Sequence, residues 1–534
     1  MNLQNVQSLR MALSIGAALK LSLSCFGQPA SRPNILFILS DDHAWQAVSA
    51  YNEARHLIQT PNIDRLANEG MRFDHCLVTD SLCGPSRASF LTGTYSHIHG
   101  FYNNCVCRFD GSQITFPKLL QAAGYQTAMI GKWHLETDPT GFDYWNIFPG
   151  QGQYYNPPMI LGGKKVTYPG YATEVVTDLS LDWLKQRDPS KPFMLLSWNK
   201  APHREWEPPL ADLDFDHDRT YKLPPNLFDD YRNRGLAEHD QDMTVAHTMR
   251  LNEDNKLALP KDLTPEQAKI WNEYYVPRNE AFLKKLPTMT ANELTEWKYN
   301  RFMHDYLACI KSVDDNVGRL LKYLDDTGLA TNTIVIYSSD QGVFLGEHGW
   351  FDKRWIFQES VRTPMLIRWP AIIKAGSVSQ DLVGNQDIAE TLLQAARLPI
   401  PERMQGRSLM PIFQGATPSD WRKAYYYHYY EFPAWHQVRP HYGVVTDRYT
   451  LVHFYQPEIS DNSQMKPAPI PDDYWELFDR QKDPGEVRSV FGDPAYADVQ
   501  TNLMQEVFRQ RKELREPARD DPQAFGPPEK YPYN

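Results

Sequence analysis

Cysteine is scarce in this 534-residue chain, which holds only Cys25, Cys76, Cys83, Cys105, Cys107 and Cys309. So few cannot staple a disulfide scaffold. Cys105 and Cys107 stand one residue apart with no companion His/Cys cluster, which argues against zinc. A disulfide among Cys76, Cys105, Cys107 and Cys309 stays open. Positive charge is also in deficit: Lys+Arg 55 against Asp+Glu 66 leaves −11. That balance disfavours a dedicated nucleic-acid binder, whose affinity comes from neutralising phosphates, but permits a local basic pocket for a small anion. The mean hydropathy of −0.55 rules out a polytopic membrane protein. Internal repeats and low-complexity blocks are absent.

What is present suits an enzyme. Hydrophobic residues make up 42% of the chain, enough for a substantial core. Forty prolines, with Trp 14, Tyr 29 and Phe 24, predict many loops and many stacking surfaces, as where sugars are handled. At roughly 150 residues per domain the length suits three or four units, or one large α/β enzyme with a smaller companion.

Arg10 precedes the apolar run Met11 to Leu19, followed by Lys20. The run is too short to span a bilayer and has the order of a secretory signal. Residues 1–27 are therefore expected to be a signal peptide, with cleavage after Ser24 or Gly27 and export to the periplasm or cell surface. A second reading makes Cys25 a lipidated anchor.

Further along, short apolar runs alternate with helical patterns, the mark of a mostly parallel sheet between helices. Strands are expected at 34–39, 127–130, 193–198 and 333–337, and helices after Thr60-Pro61, after Thr115 and over 303–324. The stretch 205–300 is polar and proline-dotted and reads as an insertion over the sheet edge. The expected organisation is an α/β catalytic domain over 32–415, an antiparallel subdomain over 416–519 and a polar tail over 520–534.

Each expected strand is followed by chemistry. Ser40-Asp41-Asp42-His43, Gly131-Lys132-Trp133-His134, Asn199-Lys200-Ala-Pro-His203 and Ser338-Ser339-Asp340-Gln341 all follow strand ends, where parallel sheets build their sites. Two adjacent carboxylates resist joint ionisation unless a cation compensates them. Asp41, Asp42, Asp340 and the Gln341 amide oxygen form an all-oxygen set suited to Ca²⁺ or Mg²⁺.

The sharpest string is Cys83-Gly-Pro85-Ser86-Arg87, followed by Leu91-Thr92-Gly93. It resembles the signature of the type I sulfatases, in which the cysteine is oxidised to Cα-formylglycine, whose hydrate is the nucleophile. The resemblance implies an alkaline-phosphatase/sulfatase-like mixed sheet between helices, with a smaller C-terminal antiparallel subdomain. It also implies one Ca²⁺ at Asp41, Asp42, Cys83, Asp340 and Gln341, the last standing where many members carry Asn. Lys132 and Lys353 would hold sulfate oxygens, Arg87 would stabilise the hydrate, and His134 and His203 would move protons. A formylglycine-generating maturation enzyme becomes an expected partner.

Three stretches, His99-Gly-Phe-Tyr-Asn-Asn104, Gly141-Phe-Asp-Tyr-Trp145 and Tyr154-Tyr155-Asn156, look most like the N-acetylglucosamine-6-sulfatase branch. The expected substrate is thus a carbohydrate bearing a 6-O-sulfated glucosamine, in heparan-type, keratan-type or mucin glycans. Asp352 and Arg354, flanking Lys353, could clamp sugar hydroxyls, and His436, Arg439 and His441 could line the sugar pocket. The rivals are a sulfatase for another sugar sulfate and a phosphonate or phosphodiester hydrolase of the same superfamily. A glycan-binding protein on a degenerate scaffold is the non-enzyme alternative, opposed by the filling of every expected catalytic position.

Overall fold

The computed structural model describes residues 32–105, 107–216, 218–432, 434–455 and 474–517. The expected signal peptide, Cys25 and the 520–534 tail lie outside them.

Alternate side chains of a strand point to opposite faces, so a strand covered on both faces needs apolar residues throughout. Asn34–Ser40 is such a strand: Leu36 and Ile38 enter one core while Ile35, Phe37 and Leu39 enter the other. Phe193–Trp198 and Thr333–Ser339 are buried along their whole length in the same way.

The described residues form a ten-stranded sheet. Its order is Ser377–Ser379, Met71–Phe73, Met365–Arg368, Thr333–Ser339, Asn34–Ser40, Phe193–Trp198, Gln126–Lys132, Tyr144–Phe148, Pro158–Leu161, Lys164–Thr167. From Thr333–Ser339 through Tyr144–Phe148 the strands run parallel. Met365–Arg368 and Pro158–Leu161 run antiparallel to their inner neighbours, so the sheet is mixed. Register places Ser40 beside Ser339, Leu39 beside Trp198, and Gly131 beside Trp198. The residues after those strand ends therefore converge on one edge.

Helix Ala291–Asp326 covers one face with Tyr306, Ile310, Val313, Val317 and Leu321. It starts earlier than the apolar spacing predicts, at a capping box between Thr290 and Glu293. Much of the 205–300 stretch packs on this helix, while Ala237 and Met243 join the core beneath the C-terminal strands. Trp206 meets Phe302 at 4.3 Å, and Tyr221, Met249, Trp271 and Tyr275 join the core around Phe302. Its anchors are few, large and unevenly spaced, so they leave no periodic pattern although each buries a large area.

The alternating pattern near the C-terminus forms an antiparallel sheet of Tyr425–Tyr429, His441–Val445, Tyr449–Phe454 and Tyr474–Asp479. Helix Ala497–Glu513 covers it through Leu503 and Val507, an element the sequence reading did not anticipate. Cys76, Cys83, Cys105, Cys107 and Cys309 are all free thiols. Among the described residues no helix is long and apolar enough to cross a membrane.

Candidate active site

Cys83 is the first residue of helix Cys83–Thr92 and is fully buried, as are all the residues of that helix. Burial and the Asp41 carboxylate push its thiol above the usual range. A helix N-terminus favours a thiolate, but burial wins here and the unmodified thiol is a poor nucleophile. Its Sγ donates to Asp41 Oδ1 at 3.3 Å and lies 3.6 Å from both Lys353 Nζ and Gln341 Nε2.

The strand ends deliver the charged groups around it. Gly131 adopts φ +107°, and a Cβ there would lie 1.9 Å from the Trp198 carbonyl oxygen. Only glycine permits that approach, and Lys132 follows directly. Lys132 Nζ pairs with Asp41 and donates to Gln151 Oε1 at 2.5 Å. Lys353 Nζ donates to both Asp42 oxygens at 2.7 and 2.8 Å. Arg87 reaches Asp340 Oδ2 at 2.9 and 3.0 Å and Asp41 Oδ2 at 3.1 Å.

Asp41, Asp42 and Asp340 are buried, with oxygens within 4.8 Å of one another. Burial opposes ionisation of Asp41, but Lys132 and Arg87 hold it well below the ordinary carboxylate range. Burial and the Asp41 charge push Asp340 up to about 7, and burial also raises Asp42. Gln341 Nε2 donates to Asp42 Oδ1 at 2.5 Å, leaving its Oε1 buried without a partner. Three crowded carboxylates and an orphaned amide oxygen fit a hard divalent cation, which would relieve the repulsion that raises Asp340.

His203 Nδ1 donates to the Arg204 carbonyl at 2.5 Å, while Nε2 stands 3.7 Å from Asp42 Oδ2. Burial and Lys132 lower the pKa values of both His203 and His134, which favours their neutral forms. His134 Nδ1 is buried with no hydrogen-bond partner among the described residues.

A cavity of about 840 Å³ opens onto this cluster, lined by Asp42, His134, His203, Lys353, Asp352, Arg354 and His436 among others. His436 links Asp352 Oδ2 at 3.1 Å to Asp242 Oδ1 at 3.0 Å. Arg354 Nη1 pairs with Glu431 at 2.7 Å. Asp42, His134, Asp352, Arg354 and His436 all hold positive φ, between 55° and 91°. Such non-glycine conformations cost roughly 1–3 kcal/mol each and cluster where function requires them.

Two expected pocket residues lie elsewhere. Arg439 is buried, with its Nε 2.9 Å from Asp240 Oδ2, and does not line the cavity. His441 is buried too: Nδ1 donates to the Arg439 carbonyl at 2.7 Å and Nε2 accepts the Ile356 N–H at 3.2 Å. Both secure the C-terminal sheet against its neighbours. Cavity residues that the sequence reading gave no site role include Asn104, Gln151, Lys200, Glu431 and Trp435. Asn104 and Lys200 lie inside motifs singled out above, whereas Glu431 and Trp435 carry no local signal.

Comparison with known proteins agrees with this geometry. A family model described as Sulfatase matches residues 33–398, and one described as N-sulphoglucosamine sulphohydrolase, C-terminal, matches 346–513. An N-acetylglucosamine-6-O-sulfatase of Bacteroides thetaiotaomicron is 45% identical over 93% of this chain and 90% of its own. The human N-acetylglucosamine-6-sulfatase is 28% identical over 75% of this chain and 68% of its own. A solved structure, described as in complex with its substrate D-glucosamine-2-N,6-O-disulfate, matches with TM-score 0.87 and 44% identity. It covers 92% of this chain and all of that one. With the signature helix, the paired lysines and the acidic cluster joined at the end of a matching sheet, this chain belongs to the sulfatase family.

Proposed function

We propose that this chain removes the 6-O-sulfate from terminal N-acetylglucosamine or glucosamine residues of host glycans of heparan, keratan or mucin type. The observation that carries the reading is the meeting, in one cavity, of the Cys83 cluster with the Asp352–Arg354–His436 wall. The 45% identical relative named for that activity supports the sugar and the linkage. Trp435, 68% exposed and lining the same cavity, offers an aromatic surface to a sugar face.

A Ca²⁺ ion held by Asp41, Asp42, Asp340, Gln341 and position 83 would polarise a sulfate oxygen and favour an ionised nucleophile. Converted to formylglycine by a maturation enzyme, position 83 would supply a hydrated aldehyde in place of the inert thiol. The chain's own groups do the rest. Lys132 and Lys353 bind sulfate oxygens from either side of position 83, where positioned cations offset the developing charge. Arg87 holds Asp41 and Asp340 in place and faces the nucleophile.

His203 must gain a proton before it can give one. The Arg204 carbonyl fixes its Nδ1–H, leaving Nε2 as the atom that takes up a proton when the sulfate anion arrives and passes it to the sugar oxygen. His134 accepts the proton released at position 83 when sulfate departs. Asp352, Arg354 and His436 hold the sugar hydroxyls. The segment Arg10 to Leu19 supports export, with or without lipidation at Cys25.

The test is sulfate release from a panel of sugars, using protein co-expressed with a maturation enzyme and Cys83→Ala as control. The panel holds 6-O-sulfated N-acetylglucosamine, 2-N,6-O-disulfated glucosamine, 6-O-sulfated N-acetylgalactosamine, a 2-O-sulfated uronate and a phosphonate ester. Turnover confined to the 6-O-sulfated glucosamines and lost in the control supports the reading. Preference for another sugar or for the phosphonate overturns it.

A further inference from the structure

The catalytic cluster pairs its cations with acids: Lys132 with Asp41, Lys353 with Asp42, and Arg87 with Asp340. Lys200 lines the same cavity and has no such partner. It is only 5% exposed, yet no hydrogen bond or ion pair engages its Nζ among the described residues. Its ammonium rests over the Tyr154 ring, 4.7 Å from the centroid. Burial and the nearby Lys132 charge push it down to about 8. A buried charge without a hydrogen-bonded partner is costly, and only the Tyr154 ring and the unbonded carboxylates of Asp41, Glu207 and Glu205 offset this one.

Its location says what would relieve it. The Lys200 carbonyl accepts the His203 N–H at 3.0 Å, so both residues occupy one tight turn after strand Phe193–Trp198. Tyr154 fastens that turn, its hydroxyl donating to the His203 carbonyl at 2.5 Å beneath the same ring that carries Lys200. His203 marks the leaving-group side of the site. An anion meeting Lys200 would therefore ride on the departing sugar, with the amides of Gln151 and Gln153 lining the cavity beside it.

We propose that Lys200 is a specificity-determining residue that binds a second anionic substituent of the sugar, a sulfamate on the glucosamine nitrogen. This rests on the glucosamine-6-sulfatase reading above. The substrate named for the 44% identical solved relative carries such a group. Lys132 and Lys353 are given to the reacting sulfate, and the cavity arginines Arg204, Arg250 and Arg354 are held by Asp254, Glu205 and Glu431. Lys200 is the lining cation left for the second anion, and a charge-assisted hydrogen bond is the interaction expected.

The experiment compares kcat/KM for 2-N,6-O-disulfated glucosamine and for 6-O-sulfated N-acetylglucosamine in the wild type, Lys200→Gln and Lys200→Arg. The ratio of the first to the second should fall about tenfold in Lys200→Gln, through KM and not kcat, and recover in Lys200→Arg. A ratio unchanged within twofold overturns the inference. A second readout is calorimetric binding of glucosamine 2-N-sulfate, which lacks the scissile ester. Its affinity should drop about tenfold in Lys200→Gln, and equal affinities overturn the inference whatever the turnover. If the wild type hydrolyses neither sugar, the sulfatase reading falls, while this binding comparison still decides the role of Lys200.

Discussion

Glu431 receives Arg354 Nη1 on one carboxylate oxygen at 2.7 Å and the backbone N–H of Asn104 on the other at 2.8 Å. Asn104 in turn accepts the Gly84 N–H on its Oδ1 at 3.0 Å. One buried carboxylate from the C-terminal region thus ties the cavity-lining Arg354 to the residue beside Cys83. The Arg354 side of the cavity and the Cys83 helix are held as one piece although far apart in sequence.

Glu431→Gln should therefore loosen Arg354 without emptying the site. The expected result is a drop of about 10- to 100-fold in kcat/KM on sugar sulfates, chiefly through KM, with the divalent-ion requirement intact. Glu431→Ala, which leaves the buried guanidinium only the 3.8 Å contact with Asp352 and the Tyr429 hydroxyl, should also cost about 3 kcal/mol of stability by denaturant titration.

His203 should matter in proportion to how poorly the alcohol leaves. His203→Ala is expected to slow a sugar sulfate by about 10²–10⁴, the usual contribution of a general acid. An aryl sulfate, whose phenolate needs little protonation, should lose much less. Equal losses on both esters would remove His203 from the proton-donor role.

Asp340, pushed up to about 7 by burial and the Asp41 charge, makes the acidic cluster costly without a cation. Chelation should abolish turnover and lower the melting temperature, with Ca²⁺ restoring both. Saturation at a hundred times Kd would return about 2.7 kcal/mol of stability. Asp340→Asn should shrink that thermal shift, because it removes a ligand and part of the repulsion together.

Glu238 and Glu476 form a buried carboxyl pair where helix Leu236–Asp240 meets the C-terminal sheet. Burial raises both, and the charge of Glu476 raises Glu238 further, above the glutamate value of 4.5. The folded state then holds protons that the unfolded chain releases. This contribution to stability is complete below about 4.5 and declines as pH rises through the folded values. Glu238→Gln offers Glu476 an amide donor in place of a carboxyl proton and removes one titration. Its melting temperature should gain on the wild type between pH 5 and pH 8, and an equal difference at both pH values would refute the assignment.

The central strands, the signature helix and the residues at four strand ends were legible because each is encoded locally. A continuous apolar run has few readings, and Asp41, Lys132, His203 and Asp340 stand within a few residues of the strands that deliver them. The C-terminal pocket was half legible. His436 reaches the cavity, while Arg439 and His441 do not, since a polar residue in an aromatic stretch looks the same whether it faces a ligand or Asp240. The packing of much of 205–300 on helix Ala291–Asp326 was missed because scattered aromatic anchors have no period.

By itself the sequence determined the family and singled out the residues proposed to react, because motif spacing and strand burial are properties of short stretches of chain. Tertiary structure alone decided which charges are compensated. Glu431 finds Arg354, Gln341 keeps an orphaned oxygen among carboxylates, and Lys200 is left unpaired over Tyr154. The reason is physical: the cost of a buried charge is set by what lies within a few ångströms in space, and those neighbours come from distant parts of the chain.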